Sequence, residues 1–167
     1  MRHFNVDVKL NQSDVDWMVE IGDNITEPNW TIRPYKLSDA EMDRLVNVLD
    51  QIPIRPEYAA IIMVPANTMC KTHVDDKANA TGIRQRITAI NIPLQIDDSS
   101  TFQYMDGDTI EETIHLLSPK CWRVDIPHRV DNRLSPTNRV VLSLSFVETV
   151  EDMYGAFLSH LPNSHTT

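Results

Sequence analysis

One short segment of the chain carries a histidine and two carboxylates, in the order Thr72-His73-Val74-Asp75-Asp76. On a strand, side chains two residues apart point to the same face, so His73 and Asp75 can direct an imidazole and a carboxylate at one point. Asp76 is the alternative carboxylate, although its use would require a turn at this place. The pair alone is weak evidence, because a solvated loop after a strand can contain the same residues.

A second histidine, His128, follows 55 residues after His73, and Arg139 begins a strand-like segment 11 residues later. Even-numbered positions of the segment 139–146 are all apolar, whereas the odd-numbered positions hold the arginine, a valine and two serines. If the odd face lies inside the protein, its polar groups need partners there. The alternative is that this face is solvated, as in many antiparallel sheets. Arg133, in the turn before this strand, is a second candidate cation.

Taken together, these residues are more specific evidence for a functional site than any one of them alone. Two histidines and one carboxylate form the facial triad that holds Fe(II) and leaves coordination positions open. A guanidinium is a planar, permanently charged group that suits a carboxylate. His73, Asp75, His128 and Arg139 therefore predict an iron site beside an anchor for an oxo-acid, whereas His115 is interpreted as a strand histidine whose ring is satisfied locally.

The elements that must position these residues are mostly short strands. Turn residues separate the β-rich segments 59–64, 69–74, 86–95, 101–105, 113–117, 121–126 and 139–147. Many short strands at this spacing are typical of a sandwich, jelly roll or barrel. Before them, alternation predicts a strand at 4–10 and a short helix near 14–21. A capping box at Ser38 and Glu41 begins a second helix, and the run 153–161 predicts a third.

This pattern predicts one mainly β domain over residues 1–167. In it, an N-terminal strand and helical flank (1–57) precede a jelly-roll, cupin-like core (58–147), and a short C-terminal helix and tail (148–167) follow. The length is sufficient for a single buried core.

Composition excludes several classes of protein. The chain has 15 basic and 24 acidic residues, a net charge of −9, which disfavours non-specific binding of nucleic acid. Residues 58–147 carry only −1 of this charge, so a pocket in the core can still accept an anion. No apolar run reaches membrane-spanning length, and no apolar segment near Met1 resembles a signal peptide. Cys70 and Cys121 form no metal motif, and we expect a cytoplasmic protein that keeps them reduced.

The motif His73-x-Asp75, followed by His128 and by Arg139 on a strand, resembles the iron(II)/2-oxoglutarate-dependent dioxygenase superfamily. The resemblance covers residues 59–147 and implies a double-stranded β-helix core. Segment 84–94 is similar to the strand after the His-x-Asp turn in the prolyl-hydroxylase and aspartyl/asparaginyl-hydroxylase groups. The spacing of Met63-x-Pro65 and of His128-x-Val130-x-Asn132 is similar to the second group. That group's arginine-x-histidine pair is replaced by Ala89 and Asn91.

This resemblance implies that His73, Asp75 and His128 form the catalytic iron site and that Arg139 binds the C5 carboxylate of 2-oxoglutarate. O2 would then react at the iron, giving succinate and CO2, with a peptide side chain or small metabolite as the oxidised substrate. Asn91 and Ser143 are weaker candidates for contacts to the co-substrate.

Two other interpretations stay open. A cupin-type jelly roll can bind metal or act as an isomerase, but such sites usually begin with His-x-His, which this chain lacks. An oxygenase-like fold can also serve for binding alone. Arg84 and Arg86 could reach an acidic substrate, but we expect both to lie at a solvated strand edge.

Overall fold

Strands account for most of the regular structure in the computed structural model, which describes residues 1–26, 33–75 and 86–160. The strands are β1 (His3–Asn5), β2 (Arg33–Lys36), β3 (Tyr58–Val64), β4 (Thr68–Met69), β5 (Thr88–Gln95), β6 (Thr101–Asp106), β7 (Thr109–His115), β8 (Lys120–Arg123), β9 (His128–Asn132) and β10 (Arg139–Phe146). The helices are α1 (Gln12–Asp23), α2 (Asp39–Arg44), α3 (Val46–Leu49) and α4 (Val150–His160).

The strands form two antiparallel sheets. The larger sheet has the order β1-β8-β5-β10-β3-β2, and the smaller has the order β4-β9-β6-β7. Apolar side chains from both sheets meet in one buried cluster, so the sheets face each other. Mainly antiparallel strands in two facing sheets, with helices at the flanks, confirm the predicted jelly-roll class.

β10 is buried on both faces. Val140, Leu142, Leu144 and Phe146 join the apolar cluster on the outer side of the larger sheet. Val141 belongs to the cluster between the sheets, on the face that also carries the buried Arg139. The polar face of this strand is therefore internal, and the alternative of a solvated face is wrong.

Helix α1 covers the outer side of the larger sheet. Its Met18 is fully buried in the outer cluster. A β-carbon at Gly22 would lie 2.6 Å from Cγ1 of Val140 and 3.5 Å from Cγ2 of Ile61. The helix can therefore approach β3 and β10 at this point because residue 22 has no side chain.

Two edge strands of the larger sheet differ from the sequence prediction. The predicted strand 4–10 pairs only over His3–Asn5, followed by one bond from the Val6 amide to the Pro119 carbonyl. Pro119 has no amide hydrogen with which the ladder could continue. β2 was not predicted, since it contains Pro34, but a proline is tolerated on an edge strand.

The helices lie close to their predicted positions. Ser38 and Glu41 form the capping box at the start of α2. The apolar stripe that follows is divided at Leu45 into α2 and α3. α4 begins earlier than predicted, at Val150, and residue 161 lies outside the described residues.

Candidate active site

The three predicted metal ligands meet at one end of the space between the sheets. His128 begins β9, and His73 forms a β-bridge with it. Each amide of the pair donates to the other's carbonyl at 2.9 Å. The Asp75 amide donates to the Val124 carbonyl, also at 2.9 Å. Main-chain hydrogen bonds therefore bring together residues that lie up to 55 positions apart in the sequence.

Both imidazoles are oriented by a main-chain carbonyl two residues earlier. Nδ1 of His73 lies 2.9 Å from the Lys71 oxygen, and Nδ1 of His128 lies 2.8 Å from the Ile126 oxygen. A carbonyl can only accept, so Nδ1 carries the hydrogen and the neutral ring keeps a lone pair on Nε2. This arrangement fixes the tautomer that a metal-binding histidine requires.

The free nitrogens face the same carboxylate oxygen. Oδ1 of Asp75 lies 3.4 Å from Nε2 of His73 and 3.9 Å from Nε2 of His128. One ligand atom from each residue lies within 4.8 Å of those from the other two. These are the separations of a group that can share one metal ion, and no other such cluster occurs among the residues described. Two imidazoles and one carboxylate suit Fe(II).

His128 is held in place by aromatic packing. Its ring stacks on Phe102 at a centroid distance of 5.0 Å and an angle of 18°, and Phe102 stacks in turn on the fully buried Trp122. Burial lowers the pKa of His128 to about 4, with the Asp75 carboxylate acting in the opposite direction. The ring is therefore neutral near pH 7, which leaves its Nε2 lone pair available.

Arg139 is a buried cation in the same cavity. Its residue is 2 % exposed, and its Nη1 donates to the Ser100 hydroxyl at 3.3 Å. Burial lowers the pKa of the guanidinium to about 10, well below its usual range. It makes no ion pair with any carboxylate in the described ranges. A buried charge without a counter-charge is costly, and an anionic ligand would relieve this cost.

A cavity of about 300 Å³ contains both the His-Asp-His cluster and the buried arginine. His73, Asp75 and His128 line it, and Arg139 lines it too. The remaining walls are largely apolar, contributed mainly by Ile62, Val64, Phe102, Val124, Val130 and Val141. Apolar walls with a few converging polar groups are typical of a small-molecule site. Asn91, one of the weaker candidates, also lines the cavity.

Arg86 differs from its predicted role at a solvated strand edge. Its side chain is only 13 % exposed and lines the cavity. Nη1 lies 3.0 Å from Oδ2 of Asp75, and Nη2 donates to the Ser143 hydroxyl at 2.7 Å. The sequence alone gave no sign of this contact, because it joins the segment before β5 to residues 11 and 57 positions away.

The rival residues lie elsewhere or outside the described part. Arg133 is exposed and pairs with Asp131 at 2.7 Å, so it is not available to the cavity. Nδ1 of His115 lies 2.9 Å from the Asp98 oxygen, in agreement with a locally satisfied ring. Asp76 and Arg84 lie outside the described residues.

Across the described residues, none of the helices has the length and apolar character that crossing a membrane requires. Cys70 and Cys121 are both buried and free.

Several solved structures with a similar fold are oxygenases. A Pseudomonas putida prolyl-4-hydroxylase matches with a TM-score of 0.55 and 13% identity, over 86% of this chain and 91% of that chain. The viral collagen prolyl hydroxylase of Paramecium Bursaria Chlorella virus-1, in its 2OG complex, has a TM-score of 0.53 and 9% identity, over 87% and 95%. HygX from Streptomyces hygroscopicus, with nickel and 2-oxoglutarate bound, has a TM-score of 0.58 and 10% identity, over 86% and 81%.

In sequence the chain matches no protein-family model and no curated protein. At these low identities the structural likeness concerns the fold. The chain thus has the double-stranded β-helix fold of iron(II)/2-oxoglutarate oxygenases, and the resemblance inferred from its motifs is confirmed at that level.

Proposed function

We propose that the chain is an Fe(II)/2-oxoglutarate-dependent oxygenase. The observation that carries the proposal is one cavity that holds both a His-Asp-His cluster and a buried arginine without a counter-charge. His73, Asp75 and His128 would hold the iron. Arg139 would bind the distal carboxylate of 2-oxoglutarate. The oxygenase fold supports the same assignment.

The metal fits the residues present. Each histidine presents a lone pair on Nε2 because its Nδ1–H donates to a main-chain carbonyl. Asp75 contributes one negative charge. Three protein ligands leave positions open for a co-substrate and O2. When bound, iron and 2-oxoglutarate supply the oxidation of a substrate C–H bond, with succinate and CO2 as products.

The residues of the chain would bind and orient the oxo-acid and would exclude water from the site. Arg139 offers two parallel N–H donors to a carboxylate, in an environment where burial strengthens the attraction. Phe102 and the aliphatic side chains around it exclude water from the space between the cation and the metal ligands. The cavity therefore favours an oxo-acid with its two functional ends at these two places.

We infer that the reaction is hydroxylation of a peptide side chain or a small metabolite. The similar structures include a collagen prolyl hydroxylase and HygX with hygromycin B bound, so this fold accommodates both kinds of substrate. We also propose that residues 1–167 act as one domain with the catalytic core in 58–147. A cytoplasmic location would keep Cys70 and Cys121 reduced, as their free state requires.

Succinate formation tests the proposal. The purified chain is incubated with Fe(II), ascorbate, O2 and 2-oxoglutarate, alone and with pooled peptides or metabolites, and succinate is measured by NMR. We expect succinate that depends on Fe(II) and O2 and is absent from Asp75→Ala and His128→Ala. Arg133→Ala, which alters an exposed arginine paired with Asp131, is the matched control and should match the wild type. Equal succinate from the wild type and Asp75→Ala would contradict the proposal.

A further inference from the structure

We propose that Arg86 is a positioning residue that restricts Asp75 to metal binding through a single carboxylate oxygen. The inference rests on the proposed function, since it assigns Asp75 to a metal. It concerns the number of coordination positions that the protein leaves open, and hence how 2-oxoglutarate can bind.

The two oxygens of Asp75 have different surroundings. Oδ1 faces the Nε2 atoms of both histidines, at 3.4 and 3.9 Å. Oδ2 lies 3.0 Å from Nη1 of Arg86. A guanidinium next to one oxygen attracts its lone pairs and repels a cation that would approach the same atom. Only Oδ1 is then directed at the metal position.

Arg86 is itself held rigidly enough to have this effect. Its Nη2 donates to the hydroxyl of Ser143 at 2.7 Å, and Ser143 lies at the centre of β10, paired with both β3 and β5. The main chain beside Arg86 is fixed as well, because the Ile87 amide donates to the Phe146 carbonyl at 3.0 Å. The guanidinium therefore bridges the central strand of the larger sheet and the Asp75 carboxylate.

The number of carboxylate oxygens on the metal determines what else can bind. Carboxylates ligate metals through one oxygen or through two. With one oxygen from Asp75 and two imidazoles, about three of the six octahedral positions stay open. A chelating oxo-acid uses two of them and leaves one for O2. If Asp75 used both oxygens, the oxo-acid and O2 would compete for the remaining two positions.

Arg86→Met tests this inference, because it removes the charge and the donors but keeps a long side chain. Mn(II) serves as the metal probe, and the relaxation of water protons counts the waters bound to it. We expect the water count of the Mn(II) complex to fall by about one third, from three open positions to two. 2-Oxoglutarate should still bind the Mn(II) complex, because two open positions are enough for its chelation, but the number of waters left on Mn(II) beside it should fall from about one to zero. Mn(II) affinity should not fall, because loss of the nearby cation offsets the looser orientation of Asp75.

Two further variants separate positioning from general support of the fold. Arg86→Lys keeps a positive charge that can reach Oδ2 and should restore the wild-type water counts with and without 2-oxoglutarate. Arg123→Met is the matched control, since Arg123 pairs with Asp125 through two contacts of 2.9 Å but does not line the cavity. It should change neither measurement. If Arg86→Met does not fold, Arg86→Leu, which also has no charge and no donor, carries the same test with the same expected results.

Three outcomes are distinguishable. An unchanged water count in a folded Arg86→Met or Arg86→Leu chain would overturn the inference, even if the 2-oxoglutarate affinity falls, because Arg86 would then act directly on the ligand. A fall of about 10-fold or more in Mn(II) affinity would also overturn it, because Arg86 would then support the metal ligands in general. Failure of the wild-type chain to bind Mn(II) would instead refute the proposed function.

Discussion

Replacing Arg139 with methionine should stabilise the ligand-free protein and at the same time abolish most of its affinity for 2-oxoglutarate. Arg139 is a buried cation with one hydrogen bond to Ser100 and no carboxylate partner in the described residues. If Arg139 stabilised the fold, its removal would destabilise the ligand-free protein. If Arg139 binds a ligand, it destabilises the ligand-free protein, and its removal lowers only the affinity for the ligand.

The size of the expected gain in stability follows from the pKa of Arg139. Burial lowers this pKa to about 10, well below its usual range, which corresponds to a cost of about 3 kcal/mol for the charged form in the folded state. Because the folded pKa lies below the unfolded one, this cost is fully present at neutral pH. It disappears only as the pH rises from about 10 through the higher pKa of the unfolded chain. Losing the hydrogen bond to Ser100 removes about 1 kcal/mol of stabilisation. The net gain for Arg139→Met is therefore about 2 kcal/mol.

Thermal and urea unfolding of the ligand-free protein measure the first effect. A gain of this size should raise the Tm by about 4 to 8 °C in a chain of this length. Titration of 2-oxoglutarate into the Mn(II) form measures the second. Removing one partner of a buried charge pair costs about 3 kcal/mol, so the affinity should fall about 100-fold.

The exposed Arg133→Met is the control for both measurements and should leave the Tm within about 1 °C of the wild type. A lower Tm for Arg139→Met together with an unchanged affinity for 2-oxoglutarate would exclude a ligand-binding role for Arg139. Arg139 would then be a structural residue of the core.

Three further outcomes follow from the structure. In thermal shift measurements, Mn(II) should raise the Tm of the wild type but not that of His73→Ala. The ring of His73 is partly exposed, so its removal should change the stability of the ligand-free fold little. An equal shift in both proteins would exclude His73 as a metal ligand. Gly22→Ala should lower the free energy of unfolding by about 1 to 3 kcal/mol in urea, because its β-carbon would lie 2.6 Å from Val140; a neutral effect would mean that α1 shifts freely. Ser38→Ala removes the capping box of α2 and should cost about 1 kcal/mol in the same assay without changing Mn(II) affinity, and a loss of metal binding would link α2 to the site.

Part of the candidate site could be predicted from the sequence because it depends on local spacing. His73 and Asp75 are two residues apart, so any extended main chain directs them to one side. The alternation of β10 places Arg139 on the face opposite four apolar residues, but whether that face is buried could not be decided without the position of β10 in the sheet. His128, 55 residues after His73, is assigned through the family resemblance and not through spacing.

What could not be predicted depends on contacts between distant segments. The partner of Arg86 is set by the register of β5 against β10, and a cation before a strand is most often solvated. β2 contains Pro34, which weakens any strand prediction, yet an edge position needs no hydrogen bond from that residue. The division between α2 and α3 falls at Leu45, whose side chain is fully buried, and the local sequence contains no helix breaker that would predict it.

We propose that one Fe(II) ion and one molecule of 2-oxoglutarate bind together in the cavity lined by His73, Asp75, His128 and Arg139. Anaerobic titration of 2-oxoglutarate into the Fe(II)-loaded protein tests it most directly, because chelation of iron by a 2-oxo acid produces a weak visible charge-transfer band. We predict a band that saturates at one equivalent per chain, is absent from Asp75→Ala, and needs a much higher 2-oxoglutarate concentration in Arg139→Met. A wild-type chain that binds Fe(II) but shows no band at saturating 2-oxoglutarate would contradict chelation of the iron by 2-oxoglutarate in this cavity.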